Sequence, residues 1–260
     1  MARYERIATD LRSKISNGDL GPGEKLPAET ALAGDYKVSV PTIRQAIGVL
    51  RAEGLIESRH GMGTFVRTPR RRVRRTPERY QWEKDRVKQP QEQRAETGAT
   101  ERDTGFEPAD LEFSATYETV TANESLARDF AVPVGTKMLQ RHYRTKSRHE
   151  TAPISLIRSC LVYEHVEGNP ALLDPGNEPW PGGTQHQLST VGIELDEITD
   201  EITARPPLVD ESEALGIDPV GTAVLVLKKI SIDTRGRVVE ISHVILPGDR
   251  TEFVYRTKLD

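Results

Sequence analysis

The sequence predicts an α+β chain in which three helices and a hairpin precede an antiparallel-sheet domain. Three observations carry this reading. Apolar residues recur at helical spacing up to residue 54, the period changes at Leu55, and from Leu111 onward short strands outnumber helices. The connections between those strands are too short for parallel crossovers, so hairpins are expected.

The first helix runs from Tyr4 to Asn17, where Ile7, Leu11 and Ile15 recur every four residues on one face, and Gly18 ends it. Asp19 to Pro27 holds too much Gly and Pro for regular structure and reads as a tight connector. A short helix from Ala28 to Asp35 is expected to turn Ala31 and Leu32 inward. In the third helix Ser39 stands as N-cap, Pro41 falls in the first turn where its missing N–H is harmless, and Ile43, Ile47 and Leu50 form a stripe before Gly54. Leu55 to Val66 reads as two strands about His60-Gly61-Met62-Gly63. Three helices followed by a hairpin make a winged helix-turn-helix, an arrangement that lays its recognition helix in the major groove.

Residues 1–67 form this module. Residues 68–109, with Arg70 to Arg75, Pro77, Pro90 and Gly98 and little periodicity, read as a charged, flexible linker. Residues 110–260 form the second domain. Its expected elements are a strand with Phe113, Ala115, Tyr117 and Thr119 on alternate positions, a helix at Asn123 to Phe130, and strands at Lys137–Lys146 and Ala152–Tyr163. A helix at Thr184–Val191, a strand at Glu194–Ala204 and a helix at Leu208–Leu215 follow. A hairpin about Arg235-Gly236 and a last strand from Thr251 complete it.

The 260 residues carry a net charge of −4, which conceals two unlike parts. Residues 1 to 75 hold 15 Lys+Arg against 8 Asp+Glu, or +7, leaving −11 for the remainder. A basic module that meets a polyanion and an acidic body with another task are therefore expected. The single Cys160 excludes an intramolecular disulfide framework and reads as a core residue. The N-terminus lacks the apolar run of a signal peptide and no stretch suits a bilayer, so a cytoplasmic protein without a membrane partner is expected. The histidines show no metal-ligand spacing. Gly18 to Lys25 departs from a phosphate loop in the position of its lysine and in Leu26, so neither a metal nor a cofactor is expected.

Leu26-Pro27-Ala28-Glu29, Val38 to Ile47, Ala52 to Ile56 and Gly61 to Val66, four blocks in order, resemble the GntR-type winged-helix repressors. From Leu111 onward the chain is similar to the UTRA effector-binding domain of the HutC subfamily, which has a chorismate-lyase-like fold. The blocks that carry this likeness are Glu211 to Ile217, Gly221 to Lys228, Asp233 to Gly236, Val239-Glu240 and Gly248-Asp249-Arg250. Within that subfamily it looks most like repressors of actinomycete plasmid-transfer genes. The resemblance implies a homodimer on a double-stranded inverted-repeat operator, released by a small-molecule effector.

By that resemblance, DNA contacts fall on Thr30, Ser39, Val40, Pro41, Thr42, Arg44 and Gln45, and on the wing residues Arg59, His60, Gly61, Met62, Gly63 and Thr64. Arg44 suits guanine O6 and N7, while the hydroxyls of Ser39 and Thr42 suit phosphate. Many relatives carry arginine where this chain has Thr30 and Val40, so a different operator is expected. The effector residues implied are Arg141, Tyr143, Arg144, Thr184, Glu240 and His243, with Arg144 and His243 on the opposite face of regular strands. Gly182 and Gly183 open Thr184's helix toward an anion. Ile157 and Leu246 replace polar residues of sugar-phosphate sensors, which implies a more apolar ligand. Simpler roles stand beside these: Ser39 and Thr184 as caps, Arg44 as a surface charge, and Arg141 with Glu240 as a cross-strand pair. At the level of function, a chorismate-lyase-like enzyme with a DNA-binding module and a DNA-binding protein with a non-functional sensor domain are the alternatives.

Overall fold

The computed structural model describes residues 1–59 and 61–259, and its chain divides into two compact units. The first comprises Met1–Arg70 with Pro206–Leu208 and Ile217–Ala223, and the second holds the rest.

In the first unit, α1 (Arg3–Asn17) buries Ile7 and Leu11 and stops at Gly18, whose φ of 83° suits a residue without Cβ. Helix α2 (Glu29–Asp35) turns Leu32 and Ala33 toward the core, leaving Ala31 exposed. The expectation of Ala31 inward fails because consecutive helical positions differ by about 100°, and the larger Leu32 sets the buried face. Helix α3 (Val40–Ala52) buries Ile43, Ala46, Ile47 and Leu50 completely or nearly so. Strands β1 (Ile56–Arg59) and β2 (Gly63–Val66) pair antiparallel with Arg59 opposite Gly63. The Gly/Pro connector adds to this hairpin, since Leu26 N–H donates to Thr64 O at 2.8 Å and Val66 N–H to Glu24 O at 2.8 Å.

The second unit opens with β3 (Val73–Arg75), α4 (Glu78–Arg86), α5 (Gln91–Ala95) and α6 (Ala99–Thr104). These elements occupy the stretch 68–109 that the sequence reads as a charged, flexible linker. Helical period was hidden because the buried positions are charged. Arg79 and Asp103, both within the interior, pair at 2.6 Å, and the guanidiniums of Arg86 and Arg102 both stack on the Trp82 ring, at 4.3 and 4.9 Å. The arginine run is likewise spent on structure. Val73 within it is buried, and Arg71 donates to Gly105 O at 2.7 Å and stacks over Phe106.

Then follow β4 (Leu111–Thr121), α7 (Glu124–Phe130), β5 (Lys137–Ser147), β6 (Ser155–Val162), α8 (Tyr163–Val166) and α9 (Gly183–Ser189). The rest are β7 (Leu195–Arg205), α10 (Val209–Leu215), β8 (Val224–Asp233), β9 (Val238–Pro247) and β10 (Thr251–Phe253). Six strands form an antiparallel sheet in the order β4-β5-β6-β9-β8-β7. Outside it, β10 pairs parallel with β3, Val73 opposite Thr251. Asn123 caps α7 by accepting from Leu126 N–H at 3.0 Å. Cys160 is buried in β6, where desolvation pushes its thiol up, as suits a core residue. No helix among the described residues is long and apolar enough to cross a membrane.

Candidate nucleic-acid interface and ligand cavity

Packing decides what α3 can present. With Ile43, Ala46, Ile47 and Leu50 turned inward, Pro41, Arg44 and Gln45 are exposed, Val40 and Thr42 are half-buried, and Ser39 and Thr30 stand exposed beside them. Ser39 occupies the N-cap position without bonding a helix amide; its hydroxyl lies 3.0 Å from that of Thr42. Both oxygens thus sit together at the mouth of the helix. Arg44 Nε donates to Glu29 Oε2 of α2 at 2.7 Å, with the arginine side chain 67% exposed. Among the described residues its terminal nitrogens have no further hydrogen bond. The pair therefore steers the guanidinium while leaving free the two donors that a guanine edge requires.

On the wing, Gly61, Met62 and Gly63 are exposed and Thr64 is half-buried with its carbonyl held by Leu26. His60 lies outside the described residues. Gly61 and Gly63 have φ of 70° and 115°, which glycine adopts without strain. Arg59 is paired with Glu57 at 2.8 Å and stacks 4.4 Å over Phe65, so its cation is anchored beside the strand. Two lysines escaped the sequence reading. Lys37 takes a left-handed φ of 53° in the turn between α2 and α3, and Lys25 lies against Gly63 through the bridge to Phe65. Only the Gly/Pro character of the connector hinted at the second.

In the second unit the strand period brings Arg141 and Tyr143 of β5, Ser159 and Ile157 of β6, and Glu240 of β9 to one face. Arg141, 1% exposed, donates to Gln187 Oε1 at 2.8 Å, Ser159 Oγ at 3.0 Å and Glu240 Oε1 at 3.0 Å, and reaches Thr184 Oγ1 at 3.5 Å. Glu240 also pairs with Lys229 at 2.7 Å. The cross-strand pairing foreseen for Arg141 and Glu240 is present. Thr184 does not cap α9, whose N-cap is Gly182; it meets Arg141 and lines a cavity.

That cavity, about 190 Å³, is bounded by Tyr143, Thr184 and Glu240 and by the apolar Ile157, Val244 and Leu246. Arg144 and His243 are not brought to it. Each lies one residue out of phase, Arg144 exposed and His243 opposite Arg158 and Lys228, and no bulge interrupts β9 there. Sequence reasoning missed Glu178. Its carboxylate accepts from Tyr117, from Tyr143 at 3.0 Å and from Gln187 at 2.8 Å, yet it sits in a Pro/Gly-rich loop without period.

Burial works against the Glu240 carboxylate, but the cations of Lys229 and Arg141 and the hydrogen bonds to it hold its pKa down at about 2. Burial pushes the Tyr143 phenol well up. A depressed folded pKa means stability present above the ordinary value of 4.5 and lost as pH falls through 2. The shift corresponds to about 3 kcal/mol at neutral pH. Melting temperature followed from pH 5 to pH 2 is expected to fall, and Glu240→Gln to flatten that slope; an equal slope in both proteins contradicts the assignment.

Comparison with known proteins follows the two units. The model of "Bacterial regulatory proteins, gntR family" matches residues 3–66, and that of the UTRA domain matches residues 114–252. An uncharacterized HTH-type transcriptional regulator of Streptomyces coelicolor is 30% identical over 258 residues, 99% of this chain and 93% of that one. The mannosyl-D-glycerate transport/metabolism system repressor MngR of Escherichia coli is 42% identical over 67 residues, 26% of this chain and 28% of its own. A crystal structure described as a GntR-family transcriptional regulator superposes with a TM-score of 0.64 at 25% identity, covering 100% of this chain and 99% of that one. PhnF of Mycobacterium smegmatis shares the fold, with a TM-score of 0.53 at 22% identity, covering 97% and 99%.

Proposed function

The chain belongs to the GntR family of transcriptional regulators and carries a UTRA effector-binding domain, and from that premise we propose that it is a repressor released from its operator by a small molecule. The observation that carries the DNA side is the exposed start of α3, where Arg44 is steered by Glu29 with its terminal donors free. Ser39, Thr42 and the turn residue Lys37 contact phosphate; Val40, Pro41, Arg44 and Gln45 face bases, with Thr30 at their edge. The wing from Arg59 to Thr64, with Lys25 beside it, enters the adjoining minor groove. Val40 in place of a charged residue meets a thymine methyl.

The protein acts in the cytoplasm as a homodimer, each winged helix taking one half of an inverted repeat about one helical turn apart. The repressor reading is supported by the relatives named as repressors, MngR and the arabinose metabolism transcriptional repressor of Geobacillus stearothermophilus, over their matching 67 and 70 residues. The effector occupies the cavity over Tyr143, Thr184 and Glu240 and shifts the equilibrium by binding the released form more tightly than the DNA-bound form. Arg141 acts from behind, fixing Thr184 and Glu240.

Footprinting on the DNA beside the chain's own gene tests the whole reading. Two protected half-sites are expected, and addition of host metabolite extract is expected to remove the protection. Protection that is absent at moderate salt, or that spreads without sequence preference, contradicts it.

A further inference from the structure

The segment from Arg71 to Gly105 lies outside both family matches, yet it furnishes one wall of the cavity. Arg75 reaches it from β3, Arg79 and Tyr80 from α4, and Asp103 from α6, facing the apolar Ile157 and Leu246 of the sheet. These side chains are held in place before any ligand arrives. Pairing with β10 fixes the backbone of β3, where Val254 N–H donates to Arg75 O at 2.9 Å, and Tyr80 donates to Asp200 at 2.8 Å.

Hydrogen bonding on this wall is incompletely satisfied, although its two guanidiniums, Arg75 and Arg79, are matched in number by the carboxylates of Glu83 and Asp103. Arg79 is 9% exposed and pairs through its terminal nitrogens with Asp103 at 2.6 Å and Glu83 at 3.7 Å, but its Nε is buried without a hydrogen-bond partner. Arg75 has no carboxylate within salt-bridge distance among the described residues. Burial and the neighbouring Arg79 cation disfavour its charge and move its pKa down, against the smaller opposing pull of Asp103 and of its hydrogen bond with Tyr80. Across the cavity Lys229 and Glu240 answer one another. An acceptor-rich anion in the cavity would answer the Arg75 guanidinium, while Arg79 stays held behind it by Asp103 and Glu83.

We propose that this strap supplies the anion-binding half of the effector site: Arg75 grips the carboxylate of a small acid whose apolar body lies on Ile157, Val244 and Leu246. The inference rests on the cavity being the effector site. A volume of about 190 Å³ lies below the roughly 300 Å³ at which drug-sized sites begin, so the acid is small. Arg75 is the one guanidinium of this wall without a carboxylate at salt-bridge distance among the described residues, which matches a monoanion; Glu83 and Asp103 on the same wall oppose the second charge of a phosphate dianion.

Full-length protein is melted with benzoate and hexanoate, with their neutral amides benzamide and hexanamide, and with inorganic phosphate. At least one of the two acids is expected to raise the melting temperature by about 2 °C or more at saturating concentration, the amides and phosphate by less than half as much. Arg75→Gln is expected to weaken that response at least tenfold in acid concentration, with Arg75→Lys losing less because it keeps the cation. Ile157→Trp, which fills the apolar side, is expected to abolish it.

A response lost in both Arg75→Gln and Ile157→Trp bears the proposal out. A response that survives Arg75→Gln but not Ile157→Trp overturns the strap's role and leaves the cavity as the effector site. One that survives both overturns the cavity reading itself. Amides or phosphate acting as well as the acids, or no response to any probe, overturns the carboxylate assignment. Should Arg75→Gln lower the unliganded melting temperature sharply, the comparison between wild type and Arg75→Lys decides, and an unchanged affinity there overturns the grip by the Arg75 guanidinium.

Discussion

Arg44→Ala is expected to lower affinity for the operator by roughly 5- to 150-fold while changing affinity for unrelated DNA by less than about threefold. The first figure is the discrimination a bidentate arginine–guanine contact supplies, about 1–3 kcal/mol. The second follows from losing one cation among several near the phosphates. Structure adds a companion test, because Glu29 holds the Arg44 Nε. Glu29→Gln keeps a hydrogen-bond acceptor but removes a negative charge near the DNA, so both affinities should rise and their ratio should shrink. Titrations of operator and scrambled duplex at two salt concentrations measure all four quantities. Equal losses on both duplexes for Arg44→Ala would return that residue to an ordinary surface charge.

Glu240→Ala is expected to be the most destabilising single change in the second unit. Removing the carboxylate leaves the Arg141 guanidinium, 1% exposed, without its counter-ion, and breaking a buried pair in this way costs about 3–5 kcal/mol. For a chain of this size that is about 6–20 °C in melting temperature. Lys229 recovers part of its loss by reaching water, since its side chain is 17% exposed. Replacing both partners, Glu240→Leu with Arg141→Met, should restore stability well beyond either single change while abolishing effector release. Calorimetric melts of the two singles and the double close the cycle; additive losses would show that the two charges do not act as a pair.

The winged helix was legible because its core residues are apolar and periodic: Ile7, Leu11, Ile43, Ile47 and Leu50 are read as a face from spacing alone, and the structure buries each. The sheet was legible for a related reason. Alternation placed Arg141 and Tyr143 on one face and Arg144 on the other, as found. What stayed hidden was order bought with charge. Arg79, Arg86 and Asp103 are buried, so the hydrophobic pattern of α4 and α6 is inverted at the positions that matter. Glu178 escaped for a different reason, since three donors converge on it from β4, β5 and α9, a convergence that only tertiary structure creates. Nor does any local signal announce that Arg75 has a partner strand beginning at Thr251.

That last pairing has a consequence for the order in which the protein is made. Val73 and its partner Thr251 stand 178 positions apart, and the pair is parallel, so no hairpin can form it early. At translation rates of about 5–20 residues per second, the arginine-bearing strand waits on the order of ten to forty seconds for the strand that fixes it. Until then the sheet can fold, but the wall that carries Arg75 lacks its anchor. The nascent regulator therefore gains its DNA-reading module first and a finished ligand wall last.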